Sequence, residues 1–534
     1  MDPLTLPARP DRAELVSNDV QDVGGTDLLG LRSVSEDVGR SLLDAATTQT
    51  PNIRYLSLRA WIIYRYAELG GRDTWSEFSE FAALVESALA FGSTLTDDRT
   101  SSVIGARQAR NEREAERFGL RRLTKQLAVS IYGGRDGPFH ALGFGARETG
   151  EVPALLEGSG DVLARAVGSA LDAAPVLSAV RPRAPTEATR GDLAELWRTF
   201  PLNLPAGDER RLLLGALFPT LPTPSQRNRI ATLTLLLELA RTCKKPPAEQ
   251  DVFETVVSPN LSHLPEPLRA IADGWTRFLV RYAIAAAHEA AVASVTSALG
   301  SAPGRRLPWS RCCSDIVERG LGDGLRAVGL SGISGRTPVR DFVHAIEEIT
   351  PESSVSAGIR RWTGELHELR VAWHPALGVA QGVALLPVLW ALVVRRVEAG
   401  VDSKAEPFKL LSRHGWARLG VAEVILPAVR GWRSSARPLE ELTQDLLRRS
   451  VDQHVRVAWS RFASEPWKDV SVLSTDGDEW IHKKALRWGH AASRLSIAIG
   501  WLQQLGLIGP HGLTPDGVTA REKGLETLTQ GTVA

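Results

Sequence analysis

The stretch that most restricts the fold is the last sixty-odd residues, where a hairpin signal, a helix and a short glycine-rich ribbon follow one another. Val470 to Lys484 carries Asp476-Gly477 between residues able to alternate in a strand, and this dipeptide suits a tight hairpin because both residues tolerate positive φ. From Ser493 onward Leu495, Ala498, Ile499, Leu502 and Leu505 recur at helical spacing, and Gly506 stops the helix. Gly509-Pro510-His511-Gly512 then turns the chain, so that Leu513-Thr514-Pro515-Asp516-Gly517 is expected to form a wing. The order is that of a winged helix over 470–524.

Elsewhere the signals are helical. Residues 54–68, 73–91, 192–200, 228–242, 267–299, 338–349, 365–371 and 439–462 have helical periodicity or propensity, often introduced by Asp, Ser, Thr or Pro. The expected fold class is therefore mainly α, multi-domain, with a C-terminal winged helix-turn-helix holding a short β-hairpin. Residues 1–24, rich in Pro, Asp and Arg, read as a disordered tail. An N-terminal helical domain is expected over 25–180, a central one over 192–400 and a C-terminal helical region over 408–534, the clearest linker being Val180 to Asp192 with Pro182, Pro185 and Gly191.

Charge and cysteine content narrow the setting. With 63 basic and 62 acidic residues the formal charge is +1, so no global field draws the chain to nucleic acid or anionic lipid. Nine lysines leave 54 arginines, a bias that suggests a GC-rich bacterial genome before it suggests function. Three cysteines, Cys243 and the adjacent Cys312-Cys313, are too few for a disulfide framework and fit a reducing cytoplasm. No apolar signal core stands in the first 22 residues, so a cytoplasmic location is expected. One apolar run, Ala376 to Val394, has Gln381 as its only polar side chain and Pro387 in its middle. A buried central helix is the expected reading and a membrane span the alternative.

Motifs for chemistry are scarce. His288-Glu289 is followed by Val292 where a zincin helix needs its second histidine. Glu365, His367, Glu368 and His374 read as a solvated helix face, and His140 as part of a structural turn. Gly320-Leu321-Gly322-Asp323-Gly324 has no convincing strand before it, as a phosphate loop would require, and Gly332-Ile333-Ser334-Gly335 lacks the spacing of a nucleophile elbow. No catalytic residue, metal ligand or cofactor is assigned.

The segment Arg54 to Tyr66 interleaves arginine with aromatics, a composition that serves base stacking and also a packed helix with snorkelling arginines. Around it, Gly25-Thr26-Asp27-Leu28-Leu29-Gly30-Leu31-Arg32, Leu42-Leu43, Thr50-Pro51-Asn52-Ile53-Arg54-Tyr55-Leu56-Ser57 and Trp61 follow in order, and Gln453-His454-Val455-Arg456-Val457-Ala458 comes near the end. This set resembles a group of poorly characterised bacterial proteins, some of which occur among phage-defence or DNA-modification genes. The resemblance implies a helical bacterial protein acting on or near DNA, with protein partners encoded nearby, and carries no catalytic residues.

If the winged helix docks double-stranded DNA, Ser493, Arg494, Ser496, Ile497 and Gln503 face the bases, with Lys483, Lys484 and Arg487 toward the phosphates. Nine basic and nine acidic residues between Val451 and Ala534 weigh equally for protein contact, with Trp501 and Gln504 expected on the exposed side. Two roles follow: a non-catalytic DNA-associated or adaptor component of a bacterial multi-protein system, phage defence included, or a protein-binding scaffold without nucleic-acid contact.

Overall fold

A 36-residue helix, Glu266–Ser301, is the spine of the computed structural model. The structure describes residues 27–47, 50–72, 74–96, 103–112, 114–120, 137–146, 152–181, 187–256, 261–327, 330–348, 383–384, 386–391, 394, 424–464, 470–484 and 493–530. The expected N-terminal tail, the 365–374 segment and Arg487 lie outside them. The described chain is mainly helical, with four small antiparallel sheets. The spine begins on Glu266-Pro267, where proline costs no hydrogen bond, runs through the alanine-rich stretch 285–293 and ends before Pro303. Apolar residues all round it are buried, as a central helix requires. Against it pack Arg32–Leu42, Pro224–Cys243, Glu249–Val256, Trp309–Ala327 and Leu439–Ser464.

The three regions expected from linker composition share one apolar core, running from Leu28 to Ile508. Around the expected 180–192 linker, Glu187–Thr189 pairs antiparallel with Arg117–Gly119, and the following helix Arg190–Thr199 lies on Trp75–Leu95. Pro182 and Pro185 lie outside the described residues and Gly191 is within the helix Arg190–Thr199; packing across the segment is set by contacts that composition does not encode. The apolar run behaves as a buried helix where it is described: residues 383–384, 386–391 and 394 are helical and buried. Trp390 stacks on Trp432 at 5.8 Å. Among the described residues no helix is long and apolar enough to cross a membrane.

The N-terminal segment is laced to distant helices. Arg32 pairs with Glu289 at 2.6 Å and Arg54 with Glu209 at 2.9 Å, all four side chains buried. Removing one partner of such a pair leaves a buried charge and costs about 3–5 kcal/mol. Arg54 also lies over the Phe200 ring and Arg59 over Phe78. The arginines of the Arg54 to Tyr66 segment are thus not all snorkelling, because Arg54 and Arg59 are enclosed among core helices.

The C-terminal hairpin forms as expected, one residue out of step. Leu473–Asp476 pairs with Glu479–His482, so the turn residues are Gly477 and Asp478. A third strand, Arg306–Pro308, joins its open edge, which the sequence did not announce. The helix Leu495–Gln504 closes as its sequence indicates: Gly506 has φ +69, and Leu507 N–H donates to the Leu502 carbonyl at 2.9 Å. The ribbon is Ile508–Gly509 against Gly512–Leu513. Thr514 to Gly517, expected as wing, instead starts a helix, Pro515–Gln530: Thr514 Oγ1 accepts from Gly517 N–H at 3.1 Å, with Pro515 at the first helical position.

That last helix lies along Pro224–Cys243, with Arg521 bonded to Glu238 and Gly524 against Thr234. The ribbon presses on the end of the same helix. A Cβ at Gly512 would stand 2.5 Å from the Ala240 carbonyl oxygen, and its φ of +95 excludes other residues without strain. Gly512→Ala should therefore destabilise the chain by about 1–3 kcal/mol, seen as a lower urea midpoint. An unchanged midpoint would show that the ribbon is not held there.

A second test concerns Glu86, whose buried carboxyl is pushed up to about 7 by burial, against the lowering effect of Arg59. Its folded pKa exceeds the unfolded one, so the unfolded chain loses the proton first. Stability is then lost as pH rises from about 4.5 to about 7 and stays lower above. Relative to wild type, Glu86→Gln should gain about 3 kcal/mol between pH 5 and 8 in denaturant titrations. A pH-independent difference would contradict a neutral, buried Glu86.

Candidate docking surface

The residues expected to read DNA do not share one outward face. Lys483 and Lys484 follow the second hairpin strand, half-buried, with their backbone N–H groups donating to the Val472 carbonyl at 3.0 and 3.4 Å. Ser493 is buried and bonded to Glu249, and its Oγ also accepts from Leu495 N–H at 3.1 Å. Arg494 takes a left-handed φ of +65 that turns its guanidinium inward to the Ala46 carbonyl, 3.0 Å away. Burial, followed by the charge of Arg40, lowers its pKa from the ordinary arginine value. Ser496 and Gln503, seven residues apart on one helix face, are exposed, and Ile497 is half-buried.

Trp501 and Gln504, expected outward, point inward. Trp501 is buried and donates its indole N–H to the Thr50 carbonyl at 3.0 Å. Gln504 accepts from Ile53 N–H and donates to Asn52 Oδ1, both at 2.8 Å. Helical periodicity identified the apolar stripe correctly but carried no information on a second contact face, which the backbone at Ala46 and from Thr50 to Ile53 supplies.

His288 and His454 are committed to structure. His288 Nε2 accepts from the Trp390 indole at 3.1 Å, so Nδ1 carries the proton and donates at 2.7 Å to Ser450 Oγ, which donates to the Leu446 carbonyl. Burial, then the charge of Arg449, lowers its pKa to about 3, so it stays neutral at ordinary pH. His454 Nε2 accepts from Val472 N–H at 3.1 Å, and Nδ1 donates to the Leu28 carbonyl at 3.1 Å. Gln453 donates to the Leu29 carbonyl at 2.9 Å. His140 ends up in the short helix Pro138–Ala141, and Gly320 to Gly324 lies inside the helix Trp309–Ala327.

The helix Leu439–Ser464 carries apolar residues beyond those of its core face. One face is core: Leu446, Leu447, Ser450, Val451, Gln453, His454, Val457 and Ala458 are buried. Beside that face runs a second apolar series at i, i+4 and i+7, with Val455 36%, Trp459 54% and Phe462 43% exposed. Trp459 and Phe462 lean on each other, ring centroids 6.2 Å apart. The ridge continues N-terminally to Arg448, whose guanidinium covers Trp309 at 5.2 Å and Trp480 at 5.4 Å. From Arg448 to Phe462 it is about 21 Å long at helical rise.

Single exposed apolar residues are ordinary, whereas a contiguous aromatic and aliphatic ridge bordered by arginine has the composition of a protein contact surface. Its signal was present in the sequence as apolar residues in excess of one core face. Chemically the ridge can exclude water from a partner and hold it by charge; it offers no nucleophile or base. Compared with family models, curated proteins and solved structures, the chain matches none.

Proposed function

We propose that this protein is a non-catalytic adaptor that holds a protein partner on the outer ridge of the Leu439–Ser464 helix, through Val455, Arg456, Trp459 and Phe462. The observation that carries the reading is the exposure of Val455, Trp459 and Phe462 in one line on a helix whose core face is already buried. In this reading the C-terminal unit is a winged-helix variant, hairpin 473–482, helix 495–504 and ribbon 508–513, whose would-be reading helix is an internal brace. Its inward Ser493, Arg494, Trp501 and Gln504 support that role. The bacterial multi-protein setting, phage defence included, belongs to the same proposal and rests on the resemblance of Gly25 to Trp61 and Gln453 to Ala458. Among the described residues expected to contact DNA, Ser496, Gln503 and the half-buried Lys483 and Lys484 remain for a duplex.

Selection of a displayed random-peptide library on the full chain, run beside anisotropy with a labelled DNA duplex, separates the two roles. The adaptor reading expects selected peptides to lose at least about thirtyfold in affinity on the Trp459→Ala, Phe462→Ala double variant, since truncating a central aromatic at an interface costs about 2–4 kcal/mol. It is contradicted if selected peptides bind that variant unchanged. Salt-dependent duplex binding kept in the double variant and lost on Lys483→Glu, Lys484→Glu would assign the function to DNA instead.

A further inference from the structure

We infer that the occupant of this ridge is an amphipathic helix of a partner protein whose apolar stripe is edged by carboxylates, an inference that rests on the adaptor reading. Spacing gives the shape. Apolar residues at i, i+4 and i+7 form a helical ridge that fits the groove of another helix, and Val455, Trp459 and Phe462 are three such knobs. A ridge about 21 Å long matches roughly four turns of partner helix.

Charge gives the chemistry of its edges. From Gln453 to Ser464 the sequence contains no carboxylate. Arg456 is exposed and forms no ion pair among the described residues, and the same holds for Arg449, whose guanidinium lies 5.9 Å from the Trp390 ring. Arg449 turns to Trp390, whereas Arg456, three residues before Trp459, borders the ridge. Asp452, the one acid along this stretch, is held by Arg448 at 3.0 Å. Among the described residues the ridge therefore presents apolar surface beside positive charge with no ion-pair partner, and its complement is apolar surface beside negative charge.

Two other occupants fit less well. In a second copy of this chain, two arginine-bordered ridges would face each other, with Asp452 already engaged by Arg448 as the acid each could offer. A single nucleic-acid strand needs rings free to take bases on their faces, whereas Trp459 and Phe462 lean together and the aliphatic Val455 stands beside them.

The test uses the full chain and two labelled 18-residue synthetic helices with the same Leu/Phe stripe, one edged by glutamate and the other by lysine. Anisotropy titrations are expected to give the glutamate-edged helix an affinity at least about tenfold above the lysine-edged one. Arg456→Glu, a surface change that spares the core, should narrow or reverse that preference. The Trp459→Ala, Phe462→Ala double variant should lose both helices.

Equal binding of the two helices, lost together in the double variant, would overturn the acidic partner and leave the adaptor reading standing. Binding of neither overturns the inference, as does preferential binding of a labelled twelve-nucleotide single strand abolished by the double variant. A concentration-dependent dimer in sedimentation velocity that the double variant abolishes would make the occupant a second copy and overturn it too.

Discussion

The structure depends on the clasp between the segment around Leu28 to Arg54 and helices four hundred residues further along the chain. Gln453 and His454 hold the Leu29 and Leu28 carbonyls, while Trp501 and Gln504 hold the backbone from Thr50 to Ile53. These bends and turns carry backbone groups that no helix or sheet satisfies, and each would cost about 1–3 kcal/mol if buried unpaired. Long polar side chains from the C-terminal helices supply the missing partners. Arg32 and Arg54 anchor the same segment through Glu289 and Glu209. Leu28, Leu29, Thr50 to Arg54, Gln453 and His454 thus have structural roles in the clasp.

The clasp has a consequence for the C-terminal unit. A helix cannot both seat Trp501 beneath the Thr50 carbonyl and present that side chain to a groove of DNA, and here it is seated. The neighbouring helix Leu439–Ser464 divides its labour differently. Its inner face closes the clasp through Gln453 and His454, and its outer face leaves Val455, Trp459 and Phe462 in water. Adjacent residues, His454 and Val455, thus belong to opposite surfaces. A partner bound to the ridge would rest directly on the helix that fastens the two ends of the chain, so docking and fold integrity are coupled through one rigid element.

Much of the secondary structure was legible. The periodicity of Leu495 to Leu505, the stop at Gly506 and the hairpin around Gly477 are local signals, and they hold to within a residue. Other local signals compete with a second reading. Thr223-Pro224-Ser225-Gln226 is a capping box that starts its helix four residues before the expected Asn228, and Thr514-Pro515-Asp516 is a helix start where a wing was expected. Side-chain direction was not legible where two faces compete. An amphipathic pattern separates apolar from polar residues, but Arg494 and Gln504 are polar and inward while Trp459 and Phe462 are apolar and outward. Those assignments come from contacts across hundreds of residues, which a single sequence does not encode.

Hydrogen exchange on the full chain, comparing wild type with Trp501→Ala, tests the clasp most directly. Removing the indole takes away its buried area and the bond to the Thr50 carbonyl, a loss of about 3–5 kcal/mol. If the clasp joins both ends in one cooperative unit, protection of amides 55–66 should fall together with that of 495–504. Loss of protection confined to 495–504, with 55–66 unchanged, would show that the C-terminal helix is a separate unit and that the clasp does not hold the fold together.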